Sequence, residues 1–181
     1  MALRATVYRC DLTLSDIDRG VYGTFPLTLA RHPSETEERL MVRLLAFVLF
    51  ADPLLTFGRG LSTEGEPDLW QHDDTGAIER WIDVGLPDER DVRRACGRAR
   101  EVIVLAYGSR KARQWWTANG EALARLPNLR VLALEDRACA DLQGLAARSM
   151  ALTATVHDGH VWLATQAASI EVVPLQWLPA A

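Results

Sequence analysis

The chain opens on strict polar–apolar alternation. Leu3, Ala5 and Val7 alternate with Arg4, Thr6 and Tyr8, and Phe25, Leu27 and Leu29 alternate with Thr24 and Thr28. Period-two patterning predicts strands over 3–14 and 21–29, and the turn-forming run 15–20 makes them a hairpin. The period then changes. His32-Pro33 breaks the strand, and Ser34 followed by Glu37 reads as a capping box at a helix start. The apolar residues from Leu40 to Leu49 cover most of that helix's circumference, so it is read as largely buried up to about residue 50. Arg39 and Arg43 mark its one wet stripe.

A short strand follows around 55–57, then a polar, turn-rich stretch over 61–76. Residues 77–85 form a strand in which Ile78, Arg80, Ile82 and Val84 face one way and Glu79, Trp81, Asp83 and Gly85 the other. Asp88 caps a helix over 88–100. The apolar run 101–107 is a buried central strand. A helix capped by Ser109 over 110–118, a further turn near 121–126, a buried strand over 129–134 and a short helix over 136–147 complete an alternating series. The last clear unit is a hairpin turning at Asp158-Gly159, a type I′ pair. Residues 169–175 add an edge strand, because Pro174 forbids a central place. Without a repeat or a linker, residues 1–181 read as one α/β domain: a mixed sheet flanked by helices, with a hairpin at each end.

Composition narrows the classes. With 49% hydrophobic and 24% charged residues the chain is globular. It has no apolar run long enough to span a membrane and no signal-peptide pattern at its start. Three scattered cysteines, without a CxxC, argue for reduced thiols and a cytoplasmic protein. A net charge of −4 excludes a chain-wide grip on nucleic acid and leaves only a local patch. Residues 88–113 supply one, with eight basic residues against four acidic ones. The same stretch also suits a solvated helix face. HExxH, GxSxG and the P-loop pattern are absent.

Three acids stand out by context. Glu38 shares a helix face with Val42, Leu45 and Leu49. Asp68 follows Pro67 just before the 77–85 strand, and Asp83 lies near that strand's C-terminal end, where α/β proteins place their sites. Carboxylates gathered in a poorly hydrated place need a pairing cation, and Mg²⁺ or Mn²⁺ suits oxygen ligands. Spacing alone favours the plainer reading: Glu38 paired with one of the many arginines, and Asp68 and Asp83 as turn caps. All but one of the 20 basic residues are arginine; Lys111 is the exception, and with Arg110 it begins the helix after the central strand.

Several separate stretches resemble the YaeQ family of bacterial proteins. They are Leu29 to Thr36 with Glu38-Arg39 and the apolar helix, Phe57 to Gly60, Glu66-Pro67-Asp68-Leu69-Trp70, Trp81-Ile82-Asp83-Val84-Gly85-Leu86-Pro87, and Tyr107-x-Ser109-Arg110. The resemblance spans nearly the whole chain. It implies a variant of the PD-(D/E)xK, restriction-endonuclease-like fold, in which a helix Glu, the Asp of PD and the first acid of (D/E)xK bind Mg²⁺ and the lysine orients water. Position by position, Glu38, Asp68 and Asp83 match the three acids. Gly85 stands where the lysine belongs, so Arg110 or Lys111 would have to supply the cation. The resemblance thus implies a Mg²⁺- or Mn²⁺-dependent nuclease-like protein acting on nucleic-acid phosphodiesters; the 88–113 stretch, read from its charge alone, is the candidate nucleic-acid contact. Two alternatives stand beside it. One is a catalytically inactive nuclease-fold protein that binds nucleic acid or a protein partner. The other is a small-molecule or metal-binding protein without a polymer substrate.

Overall fold

The structure, a computed structural model, describes residues 4–59 and 65–178. The expected strand start at Leu3 and the first part of the polar 61–76 stretch lie outside the described residues. Two sheets, not one, organise the chain. The first takes strands β1 (Thr6–Asp16), β2 (Val21–Arg31), β8 (Ser149–His157), β9 (His160–Ala164) and β10 (Ser169–Val172) in the order β10-β9-β8-β1-β2. The two expected hairpins therefore do not flank a common sheet. They join through a parallel pairing of β1 with β8, in which Leu12 lies opposite Leu152. Asp158 and Gly159 take φ of 51° and 76°, as a type I′ turn requires.

The second sheet takes β3 (Leu55–Phe57), β4 (Leu69–His72), β5 (Ile78–Val84), β6 (Ala99–Ala106), β7 (Leu129–Ala133) and β11 (Leu175–Leu178) in the order β11-β7-β6-β5-β4-β3. Its centre, β5-β6-β7, is parallel. The crossover between β5 and β6 runs through α2 (Glu89–Cys96), and that between β6 and β7 through α3 (Ser109–Leu123). Both cover one face, where Trp81, Val92, Val102, Val104, Ala112 and Leu123 form a core. The opposite face of β5–β7 packs Ile82, Val84, Ile103 and Leu105 against α1 (Glu37–Phe50) and the inner side of the first sheet. α4 (Asp136–Gly144) packs on α1. No helix of the described residues is long and apolar enough to cross a membrane. The three cysteines are unpaired.

Several local expectations are corrected. Thr36, not Ser34, caps α1: its hydroxyl accepts the Arg39 amide at 3.1 Å, while the Ser34 hydroxyl meets His32 Nδ1. Glu37 accepts instead from the Tyr8 hydroxyl. α3 is one continuous helix and starts from Gly108 in a left-handed conformation, without a side-chain cap. The polar stretch before β5 carries strand β4, whose length is too short for alternation to reveal it. Arg39 and Arg43 are no wet stripe. Arg43 is 1% exposed, clamped by both oxygens of buried Glu35 at 2.8 and 2.9 Å.

Candidate functional site

The C-terminal ends of β5 and β6 open into a cleft of about 710 Å³. Asp68 enters it from the turn before β4. Its backbone is pinned on two sides: its amide donates to Ile82 O at 3.0 Å and its carbonyl accepts from Gly58 N at 2.8 Å. The second contact demands glycine. A Cβ on Gly58 would lie 2.1 Å from the Pro67 carbonyl oxygen. The strand turn after β3 and the Pro67-Asp68 pair thus approach as bare backbones, and that closeness aims the Asp68 side chain at the end of β5.

The carboxylate of Asp68 is held twice. Oδ1 accepts from Arg39 Nη2 at 2.7 Å, and Oδ2 accepts from the Val84 amide at 2.7 Å. Arg39 in turn donates to Glu35 Oε1 at 3.0 Å and to the Val84 carbonyl at 3.3 Å. Burial pulls the Arg39 pKa down, and the carboxylates of Asp68 and Glu35 more than offset it, leaving it above its ordinary value. Glu35, Arg39 and Arg43 recur at helical four-residue spacing, a signal in the sequence that the wet-stripe reading passed over.

Asp83 projects from β5 into the same cleft, on the face of the sheet that carries α2. Its only hydrogen-bond donor among the described residues is Trp81 Nε1, at 2.9 Å. Burial pushes the Asp83 carboxyl up to about 7; the Trp81 bond opposes this, the negative charges of Asp68 and Asp91 add to it, and Arg39 opposes it. A half-protonated acid near neutrality beside a second carboxylate is a local deficit of positive charge. Arg94 and Arg98 also line the cleft, Arg98 lying over the Trp81 ring at 5.2 Å.

The structure therefore brings Asp68 and Asp83 to one cleft. Glu38 is half-buried on α1 and is not part of the lining; its charge is felt at Tyr107, which does line it. Arg110 and Lys111 are exposed at the start of α3, and Arg110 lines a separate shallow groove with Arg113 and Asp136. Gly85 takes φ of +110°, so a side chain there would be strained as well as missing.

This architecture and sequence can be placed. A family model described as YaeQ protein matches residues 1–174. The chain belongs to the YaeQ family. The "Uncharacterized protein YaeQ" of Salmonella typhi is 45% identical over 177 residues, covering 98% of each chain. That of Escherichia coli K12 is 44% identical with the same coverage. Among solved structures, the YaeQ protein from Xanthomonas axonopodis pv. citri aligns with a TM-score of 0.95 and 48% identity over 98% of this chain and 99% of that one. The YaeQ protein from Pseudomonas syringae aligns with a TM-score of 0.90 and 35% identity over 97% of each.

For a YaeQ protein that follows the nuclease pattern, a divalent cation would be expected between the acids. The donor set fits such an ion in part. Mg²⁺ is commonly held by one or two carboxylates, the remaining positions being water and substrate phosphate. Asp68 and Asp83 can supply those two, since each Asp68 oxygen keeps a lone pair beyond the hydrogen bond it accepts. A compact three-acid cage is not formed: among the described residues, the one group of three ligating side chains within 4.8 Å of one another is Asp18, His157 and Asp158, elsewhere on the surface.

Proposed function

We propose that this YaeQ protein is a nuclease-like protein of the PD-(D/E)xK type that takes a nucleic-acid phosphodiester into the Asp68–Asp83 cleft together with Mg²⁺ or Mn²⁺. The observation that carries this reading is that half-buried Asp83 and buried Asp68 line one cleft together with Arg39, Arg94 and Arg98. Asp68 and Asp83 would hold the cation. When bound, such an ion supplies charge to polarise the phosphoryl group and to acidify a water. Arg39 keeps the Asp68 carboxylate aimed, and Arg94 and Arg98 receive the flanking phosphates in the bidentate geometry that guanidinium favours. Glu38, Arg110 and Lys111 rest in this scheme on the family resemblance alone.

A second reading, a binding protein without turnover, is favoured by one feature. No lysine stands at Gly85, and the cations nearest the acids are arginines, which stay protonated and cannot act as a base. One experiment separates the two. The purified protein is incubated with single-stranded and double-stranded DNA and with RNA, in EDTA, Mg²⁺ or Mn²⁺, and both retention and cleavage are followed. Metal-dependent cleavage lost in Asp68→Asn and Asp83→Asn supports hydrolysis. Metal-dependent retention without cleavage, lost in the same variants, supports binding alone. Absence of both overturns the proposal.

A further inference from the structure

The Asp68–Asp83 cleft draws one wall from each face of the sheet. Alternation along β5 puts Trp81 and Asp83 on the face that carries α2, and Arg94 and Arg98 line the cleft from that side. Along β6, Val104 and Ala106 belong to the core under α2 and α3, whereas Ile103 and Leu105 pack towards α1. Tyr107 follows Ala106 and continues the second set: it packs on the α1 core and lines the cleft. Gly85 stands at the junction of the two walls, its amide donating to Leu105 O at 3.0 Å. A Cβ on Gly85 would lie 3.9 Å from Tyr107 Cε1. The ring of Tyr107 therefore covers the place where a side chain of residue 85 would begin, and nothing from that position screens it from the cleft.

The two walls differ in the donors they offer. On the α2 side, Arg94 and Arg98 present guanidinium groups. On the α1 side, Arg39 is committed to Asp68, Glu35 and the Val84 carbonyl. Tyr107 is not committed. It is half-buried, and its hydroxyl makes no hydrogen bond among the described residues. Nor is that hydroxyl sealed in protein, as Arg31 Nε and Arg130 Nε are, so water reaches it. Burial raises the pKa of the phenol; Arg39 opposes this, and the charges of Glu38, Cys139 and Asp68 add to it. The hydroxyl is therefore a neutral donor, which adds no negative charge to a cleft that already holds carboxylates. A phosphodiester spreads its one charge over two non-bridging oxygens. Arginines on one wall and a phenol on the other give each of those oxygens a donor, and a hydrogen bond to an ionised oxygen is the stronger kind.

We propose that Tyr107 is a substrate-contacting residue of this cleft, its hydroxyl donating to a non-bridging oxygen of the bound phosphodiester from the α1 side. The assignment rests on the reading of the cleft as a phosphodiester site. The chain has three tyrosines, Tyr8, Tyr22 and Tyr107, so labelling the tyrosine ζ carbon gives an NMR spectrum with one signal for each. Titrating the full chain in Mg²⁺ with thymidylyl-thymidine, which has a single phosphodiester, should move the Tyr107 signal and leave that of Tyr22, exposed on β2, in place. Tyr107→Phe keeps the ring over Gly85 and removes only the donor. By calorimetry it should bind the dinucleotide roughly 10–100-fold more weakly, the loss expected for a hydrogen bond to a charged group. Its melting temperature should still rise with Mg²⁺ as in wild type, because Tyr107 contacts the substrate and not the ion. Equal affinity in wild type and Tyr107→Phe, or an unmoved Tyr107 signal at saturation, would overturn the role of Tyr107 and leave the cleft reading standing. Loss of the Mg²⁺ response in Tyr107→Phe would also overturn it, since the residue would then support the acids. Wild-type protein that binds no dinucleotide would overturn the cleft reading and this assignment together.

Discussion

Arg39 Nη2 stands 2.7 Å from Asp68 Oδ1, and the same guanidinium grips Glu35 and the Val84 carbonyl. One helix side chain thus ties the loop before α1, the turn before β4 and the end of β5 into a single buried charge network. Removing it leaves Asp68, 7% exposed, without its paired cation, while Glu35 keeps the two hydrogen bonds from Arg43. Arg39→Met is expected to cost about 3–5 kcal/mol, the range for breaking one side of a buried pair. Urea unfolding measures it, and an unchanged midpoint would mean that the network contributes nothing.

Asp83 gives stability a pH dependence of a definite sign. Its folded pKa of about 7 lies above the ordinary aspartate value of about 3.9. Between these values the folded chain retains a proton that the unfolded chain has lost. Stability therefore falls as pH rises through this window and levels off above it. Asp83→Asn should remove that slope and be the more stable protein at pH above the folded pKa, by roughly 1–4 kcal/mol. Parallel slopes in wild type and variant across the window would show that Asp83 does not titrate there.

The same carboxylate predicts how a divalent ion acts on folding. Mg²⁺ or Mn²⁺ prefers ionised acids, so it should raise the melting temperature of wild type more in mildly alkaline than in mildly acidic buffer. Asp68→Asn and Asp83→Asn should each lose the response. An equal response in both variants would place the ion elsewhere, and the exposed Asp18, His157 and Asp158 group is where to look first.

Gly58 tests the scaffold without touching a charge. A methyl group there meets the Pro67 carbonyl oxygen at 2.1 Å. Gly58→Ala must separate β3 from the Pro67-Asp68 turn, at a cost of roughly 1–3 kcal/mol, typical of overpacking. It should also misplace Asp68, so that any metal response falls although all acids are present. Wild-type stability and metal response in this variant would show that the close approach is not needed.

What could be read from the sequence divides along a physical line. α1, β5, β6 and the Asp158-Gly159 hairpin carry long periodic or apolar signals and turn residues of fixed chemistry, and they stand close to where those signals place them. The parallel β1–β8 pairing joins residues more than a hundred positions apart, and no local pattern encodes it. It converts the expected single sheet into two. The site divides similarly. Asp68 and Asp83 were visible as acids at a turn and a strand end, positions that topology brings together. The Glu35, Arg39 and Arg43 cluster was passed over because charged residues on a helix ordinarily face water. Here reciprocal pairing lets them be buried, which side-chain type alone does not reveal.

Arg94 and Arg98 decide how nucleic acid is held. Both line the Asp68–Asp83 cleft, whereas Arg110 and Arg113 share an outer groove of another part of the molecule. If a phosphodiester enters the cleft, Arg94→Ala and Arg98→Ala should each weaken retention and lower the salt dependence of binding by about one phosphate contact. Arg98→Ala carries a second effect, because its guanidinium also covers Trp81, the residue that donates to Asp83. Exposing that donor to water weakens its hold, so the Asp83 titration should move in Arg98→Ala and stay put in Arg94→Ala. Arg110→Ala and Arg113→Ala should differ little from each other. A larger loss from Arg110→Ala than from either cleft arginine would shift the nucleic-acid contact to the start of α3 and leave the cleft without a polymer ligand.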